Sequence, residues 1–361
     1  MKKRDRLARE LPSIEDIILD YERMFADADD PSTLVVQGTF FGRKGRFEDA
    51  IRHFDKAIDI DPNFFDAWFN KGVALINKGD DPGALECFQM ASSIDPDTST
   101  TWLKMGEIQR RMHNFDRALE CMDRCLAIEP ENTPALEEKI EILLERGEPE
   151  TALQVLDKAL EIEPEDSSFI VRKGEILLSL GRHDQALSCF DESLKISPEV
   201  TIAWYGRGAI HFQKGLYDEA LQCFETAIKI DGEYFDASRG KAFALLALER
   251  YRPALKEFQF LTKRYSESFE FSLGKGLAQI GLRRHPEALK FLDRAIRLCP
   301  NNADAWQEKG RLLQKMDREE EAKSAFSEAQ LRKAVDERRC PYWPNDLAQI
   351  HHLDFKIEFN S

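Results

Sequence analysis

Cysteine is the residue type whose spacing here comes nearest to site chemistry. Cys121 and Cys125 stand four apart, which on a helix puts two thiols on one face, half of a structural zinc site. A tetrahedral site needs four ligands, and no C-x-x-C pair or Cys/His quartet supplies the other two. Cys87, Cys121, Cys189 and Cys223 recur at one equivalent place in a repeating pattern, so they are expected to be small hydrophobes packed in helices. His351-His352 is an adjacent histidine pair near the end of the chain, with metal capture there the lesser expectation. No metal and no cofactor is expected. The nucleotide loop G-x-x-x-x-G-K-[ST], the nucleophile elbow G-x-S-x-G and the zinc motif H-E-x-x-H do not occur. Gly206-x-Gly208 and Gly274-x-Gly276 fall inside predicted helices and are not phosphate loops. Paired carboxylates abound, but on solvated helical faces. An enzyme is not expected.

Composition narrows the class. The 361 residues are 42% hydrophobic and 32% charged, with 24 Phe and only 19 Gly and 15 Pro, which excludes disordered and collagen-like chains. No run of about 18 apolar residues is present to span a bilayer. The basic start MKKRDRLARE is followed by LPSIEDIILD rather than an apolar core and cleavage site, so a signal peptide is not read. A net charge of −15 argues against nucleic acid and anionic membranes as partners. Seven cysteines are too sparse for a secreted disulfide framework. A cytoplasmic chain is expected.

The elements that position everything else emerge from a repeat. Ala50, Ala84, Ala118, Ala152, Ala186, Ala220, Ala254, Ala288 and Ala322 stand 34 residues apart with no insertion. Twelve positions earlier come Gly38, Gly72, Gly106, Ile140, Gly174, Gly208, Ala242, Gly276 and Gly310. Four positions later come Phe54, Phe88, Met122, Leu156, Phe190, Phe224, Phe258, Leu292 and Phe326. In the second unit Trp68, Gly72, Leu75 and Ile76 recur at helical spacing, and Ala84, Phe88, Ala91 and Ile94 do so again after a turn over 78–82. Two antiparallel helices per unit follow, with the small residues where they cross. Each hairpin leaves an apolar face open, so neighbours stack.

The period, the W-x3-G spacing at Trp68/Gly72, Trp102/Gly106, Trp204/Gly208 and Trp306/Gly310, the alanine, the aromatic and a closing proline (Pro62, Pro96, Pro130, Pro164, Pro198, Pro300) resemble the tetratricopeptide repeat. The resemblance covers residues 31–336 as nine units and is most like archaeal and bacterial scaffold proteins. It implies an all-α, α-α superhelix, a solenoid of stacked helix-turn-helix repeats. Residues 1–30 read as a basic stretch and an amino-terminal cap helix over 13–29. Residues 337–361 read as a capping tail, with the alternation Phe355, Ile357, Phe359 as a short extended segment. Repeat 7, with Ser238, Ala242 and Ser266, departs furthest from the pattern.

The resemblance also implies that the first helix of each repeat lines a concave groove, through repeat positions 2, 5, 9 and 12. There, repeats 3–5 place Glu107, Glu141 and Glu175, with Glu137 beside them. Repeats 6–8 place Ile202, Tyr205, Phe212, Phe243, Leu246, Leu273, Leu277 and Ile280. Tyr205, Phe212, Phe243 and Leu277 are expected to form an exposed apolar stripe. Arg111 and Arg172 are expected to pair with Glu107 and Glu175. Gly206, Gly240 and Gly274 sit in helices at a cost, offset by a close helix contact or by a ligand backbone. The Lys/Asn carboxylate clamp of chaperone-binding members is absent; only Asn70 and Lys104 echo it. The expected function is a non-enzymatic scaffold or adaptor holding a peptide or protein in the groove. The alternative is a self-assembling homo-oligomer, because residues 129–166 hold 13 acids and 3 bases, whereas residues 238–297 hold 6 acids and 13 bases.

Overall fold

The computed structural model describes residues 30–333 other than 266. The expected cap helix over 13–29, His351-His352 and the tail over 337–361 lie outside the described residues. Those described form eighteen α-helices and no strand. The first helix of each repeat is α1 (Pro31–Arg43), α3 (Phe65–Lys78), α5 (Ser99–Arg111), α7 (Thr133–Glu145), α9 (Ser167–Ser179), α11 (Thr201–Gln213), α13 (Phe235–Ala247), α15 (Phe269–Gly281) and α17 (Ala303–Lys315). The second is α2 (Phe47–Ile60), α4 (Asp81–Ile94), α6 (Phe115–Ile128), α8 (Pro149–Ile162), α10 (His183–Ile196), α12 (Tyr217–Ile230), α14 (Tyr251–Tyr265), α16 (His285–Leu298) and α18 (Glu319–Lys333). The architecture is all-α, a run of stacked hairpins, each made of a first helix, A, and a second helix, B. The hairpins fall into two compact units divided between Ile162 and Glu163, with α1–α8 in unit 1 and α9–α18 in unit 2.

Local signals start and stop these helices. Asp30 accepts from the Thr33 amide at 3.0 Å ahead of Pro31, and Asn132 accepts from the Ala135 amide at 3.0 Å ahead of Pro134. Each hairpin turns through one left-handed residue at the same register. It is Gly45, Gly79, Gly147, Gly181 or Gly215 in five repeats, and His113, Glu249, Arg283 or Asp317 in the other four. After α3 the Gly79 amide reaches the Ile76 carbonyl at 2.9 Å and the Asp80 amide reaches Leu75 at 2.9 Å, a paired bond that ends the helix.

Packing explains the small residues more closely than a backbone crossing does. Ala50, Ala84, Ala118, Ala152, Ala186, Ala220, Ala254 and Ala288 are fully buried. The helix B aromatic packs against the glycine sixteen residues before it: a Cβ on Gly38, Gly72, Gly174 or Gly208 would come within 3.0 Å of Phe54, Phe88, Phe190 or Phe224. A ring, and not a neighbouring backbone, fills that space. Where the glycine is Ile140, the partner shrinks to Leu156.

Joints between repeats use fixed offsets. Each indole among the described residues donates to the proline carbonyl six residues back: Trp68 to Pro62 at 2.9 Å, Trp102 to Pro96 at 2.8 Å, Trp204 to Pro198 at 2.9 Å and Trp306 to Pro300 at 3.0 Å. A base on helix A meets an acid sixteen residues earlier on the preceding helix B: Lys71 with Asp55 at 2.6 Å, Arg207 with Asp191 at 3.2 Å and Lys309 with Asp293 at 2.7 Å. Such partly exposed pairs contribute about 1 kcal/mol at most and act mainly on register.

Candidate functional site

Within each unit neighbouring A helices touch one another, as α1 does α3 and α11 does α13, whereas the B helices meet far less. The odd-numbered helices therefore form the inner layer of each unit and the even-numbered ones the outer layer.

Unit 1 presents carboxylates on that inner layer. Glu107 on α5 is half-buried and takes both oxygens' contacts from Lys104 Nζ, at 2.8 Å each. On α7, Glu137 is exposed and Glu141 half-buried. Arg110 spans two repeats, reaching Glu138 at 2.5 Å and Glu145 at 2.6 Å. Burial opposes the charge on Arg110, but the hydrogen bonds it donates to Glu138 and Glu145 outweigh that and hold its pKa above the ordinary value. The expected Arg111–Glu107 pair does not form. Arg111 instead grips Asp81 with two bonds, at 2.6 and 2.9 Å, and the Arg111 hydrogen bonds hold the Asp81 carboxyl below the usual range. A planar guanidinium matched to one carboxylate across the joint wins over a single contact one turn away.

In unit 2, Glu175 on α9 meets Arg172 at 3.2 Å, as expected. The expected exposed apolar stripe is overturned. Tyr205 keeps 6% of its surface, Phe212 4%, Phe243 9% and Leu246 none. Tyr205 lies 6.0 Å from the Phe224 ring and 5.5 Å from Tyr234, and Phe243 lies 5.2 Å from Phe258. The cause is the glycines at Gly206, Gly240 and Gly274, where a Cβ would come within 3.0 Å of Phe190, Phe224 and Phe258 of the preceding repeat. Those glycines let each inner helix settle onto the previous ring, and the aromatic side chains beside them are drawn into the seam. The space they leave is occupied by protein, so the ligand-backbone reason for them falls. Leu273 and Leu277 on α15 are half-buried and Ile202 on α11 is exposed.

A polar cluster among these rings was not anticipated. Arg239 on α13 is 4% exposed, 3.4 Å from Asp236 and 3.6 Å from Glu270. Burial opposes its charge, and Glu270, Tyr205 and Asp236 outweigh that. Burial pushes the Tyr205 phenol up to about 12 despite the Arg239 charge beside it. The available signal was an arginine at a register position that otherwise holds apolar residues or Glu137 and Gln307.

Cys87, Cys121, Cys125, Cys189 and Cys223 are buried, and burial pushes Cys87, Cys121 and Cys125 up to about 11. Among the described residues no three His, Cys, Asp or Glu side chains gather as metal ligands, and no helix is long and apolar enough to cross a membrane.

Family models described as tetratricopeptide repeat match residues 65–98, 109–169, 143–210, 201–234, 240–303 and 291–324, and one described as TPR repeat matches 43–79. A tetratricopeptide repeat protein from Parabacteroides merdae is similar in structure, with a TM-score of 0.51 and 19% identity, covering 74% of this chain and 98% of that one. The Cut9–Hcn1 hetero-tetramer of APC/C matches with a TM-score of 0.51 and 17% identity, over 78% of this chain and 55% of that one. At such identities the likeness is one of fold. An uncharacterized protein of Methanocaldococcus jannaschii is 49% identical over 39 residues, which are 11% of this chain and 45% of that relative's length.

Proposed function

Because the chain belongs to the tetratricopeptide repeat family, whose fold generally serves as a protein–protein interaction scaffold, we propose that it is a non-enzymatic scaffold holding a peptide or protein on its inner helical layer. The observation that carries this is the carboxylate face of α5 and α7. Lys104 and Arg110 are committed there to Glu107, Glu138 and Glu145, and exposed Glu137 stands one turn from Glu141. A partner segment bearing Lys or Arg fits that face. Leu273 and Leu277 of unit 2 offer smaller apolar contacts. Affinity capture from native lysate with the full chain, repeated with Glu137→Lys/Glu141→Lys, tests it. Capture of the partner should fall by on the order of tenfold or more; undiminished capture by the folded variant refutes the assignment.

Self-association through oppositely charged surfaces is a second function, favoured by the separation of charge between residues 129–166 and 238–297.

A further inference from the structure

The outer layer of unit 2 gathers positive charge that the acidic chain as a whole lacks. On α14 the exposed residues Arg252, Lys256, Phe260 and Lys263 recur every three or four positions and form one stripe. One repeat later Lys290, Arg294 and Arg297 hold the register of Lys256, Phe260 and Lys263 on α16. Arg283 and Arg284, in the turn that leads into α16, are exposed as well. Arg294 is tied to Glu267, but among the described residues no ion pair engages the other cations of this face. Carboxylates are nearly missing from it. Glu257 is turned to Lys241 at 3.1 Å and Asp293 to Lys309 at 2.7 Å, so α14 exposes no acid and α16 exposes Glu287. Phe260, 45% exposed, stands in the middle of these cations.

The layer that carries this face bows outward. In unit 2 the inner helices α9, α11, α13, α15 and α17 touch in succession, whereas the outer helices stand apart, so the outer layer is convex. The exposed acids Asp218, Glu219 and Glu225 of α12, and Glu319, Glu320 and Glu321 of α18, therefore fall back on either side of a plane laid across α14 and α16. A convex face has no cleft to grip a single peptide or nucleic acid strand from two sides. A flat anionic surface meets it better, because cations at the ends and middle of two helices spread the charge in two dimensions. The bare ring among them fits the same occupant, since an aromatic side chain is drawn into the boundary beneath lipid headgroups while cations stay among the headgroups.

We propose that the outer face of α14 and α16 docks on a lipid surface bearing anionic headgroups. Phe260 enters the headgroup boundary, and Lys256, Lys263, Lys290 and Arg297 lie among the headgroups around it. The net charge of −15 conceals this face, because screening confines each exposed charge to its own neighbourhood and these cations share one neighbourhood. The contact is peripheral and reversible, since one ring is a weak anchor and the rest of the attraction is sensitive to salt. It does not involve the inner layer and is independent of the scaffold reading.

Co-sedimentation of the full chain with phosphatidylcholine vesicles containing about one-third phosphatidylserine tests it. The protein should pellet at about 50 mM salt, stay in solution by about 500 mM, and stay in solution with phosphatidylcholine alone. Lys256→Glu/Lys290→Glu should weaken binding by on the order of tenfold or more, and Phe260→Ala by roughly threefold or more. Arg117→Glu/Arg124→Glu makes the same change of charge on exposed positions of α6 in unit 1 and should weaken it far less. All these positions are exposed, and an unchanged helical circular dichroism spectrum confirms folding. No binding to the mixed vesicles at low salt overturns the proposal. So does binding that the α14 and α16 reversal or Phe260→Ala leaves intact, or that the α6 reversal weakens equally. Vesicle-free assembly at low salt that Lys256→Glu/Lys290→Glu abolishes assigns the face to a second copy and overturns it. Polyglutamate or oligothymidylate that displaces the vesicles at matched ionic strength assigns it to an acidic peptide or a nucleic acid strand and overturns it as well.

Discussion

Gly208→Ala should destabilise this protein although it replaces the poorer helix former by the best one. Alanine in a helix interior gains about 1 kcal/mol over glycine. Against this, a Cβ at Gly208 would come within 3.0 Å of the Phe224 ring and 3.2 Å from Cys223 Cβ. The ring has little room to retreat, because Phe224 is fully buried and also packs on Gly240 of the next repeat, where an added Cβ would come within 3.0 Å of it. Overpacking of this kind costs about 1–3 kcal/mol, so the net change should be a loss of up to about 2 kcal/mol. Gly42→Ala is the internal contrast. Its nearest neighbour would be Ala50 Cβ at an ordinary 3.8 Å, so the propensity gain survives and stability should rise. The chain supplies its own rescue design in repeat 4, where Ile140 faces Leu156. Gly208→Ala with Phe224→Leu should therefore lose less than the sum of the two single changes, with a coupling of about 0.5 kcal/mol or more. Urea midpoints followed by circular dichroism measure all four variants. If Gly208→Ala and Gly42→Ala shift the midpoint in the same direction, or if the double variant is additive, the ring-on-glycine account is wrong.

Three further outcomes are expected. Arg283 holds a left-handed conformation at φ +57, where five other repeats have glycine, so Arg283→Gly should raise the thermal midpoint by relieving roughly 1 kcal/mol of backbone cost, and a lower midpoint would count against that origin. Cys87 and Cys121, pushed up to about 11 by burial, should resist alkylation at neutral pH until the chain unfolds. A thiol whose folded pKa lies above its unfolded value contributes stability that is complete below about pH 8.5 and lost as pH rises toward 11. Cys87→Ala/Cys121→Ala should accordingly flatten the decline of the urea midpoint over that range.

The hairpins, their turns and the buried alanine register were legible in the sequence because they are local and recur nine times. The inner face was legible only in part. Glu107, Glu137, Glu141 and Glu175 are charged wherever they stand, so their residue types alone tell much about the helical face. Tyr205, Phe212 and Phe243 are different: whether an aromatic residue on the inner layer is bare or covered depends on how near the next inner helix comes. That distance is set by Gly206 and Gly240 against rings of the preceding repeat, a contact between residues sixteen apart, as from Gly206 to Phe190. Arg111 teaches the same lesson. A partner one helical turn away was visible, and Asp81, thirty residues distant and better matched in geometry, was not.

The indole bonds at the repeat joints make this chain its own optical gauge. Trp68, Trp102, Trp204 and Trp306 each donate to a proline carbonyl across one boundary between consecutive repeats, two in unit 1 and two in unit 2. When a boundary opens, its indole loses that acceptor and meets water, and its emission moves to longer wavelength. Chains in which one of these four is the sole tryptophan, Trp343 being replaced as well, would thus report the parting of one chosen joint, resolving which boundary yields first under load, heat or denaturant.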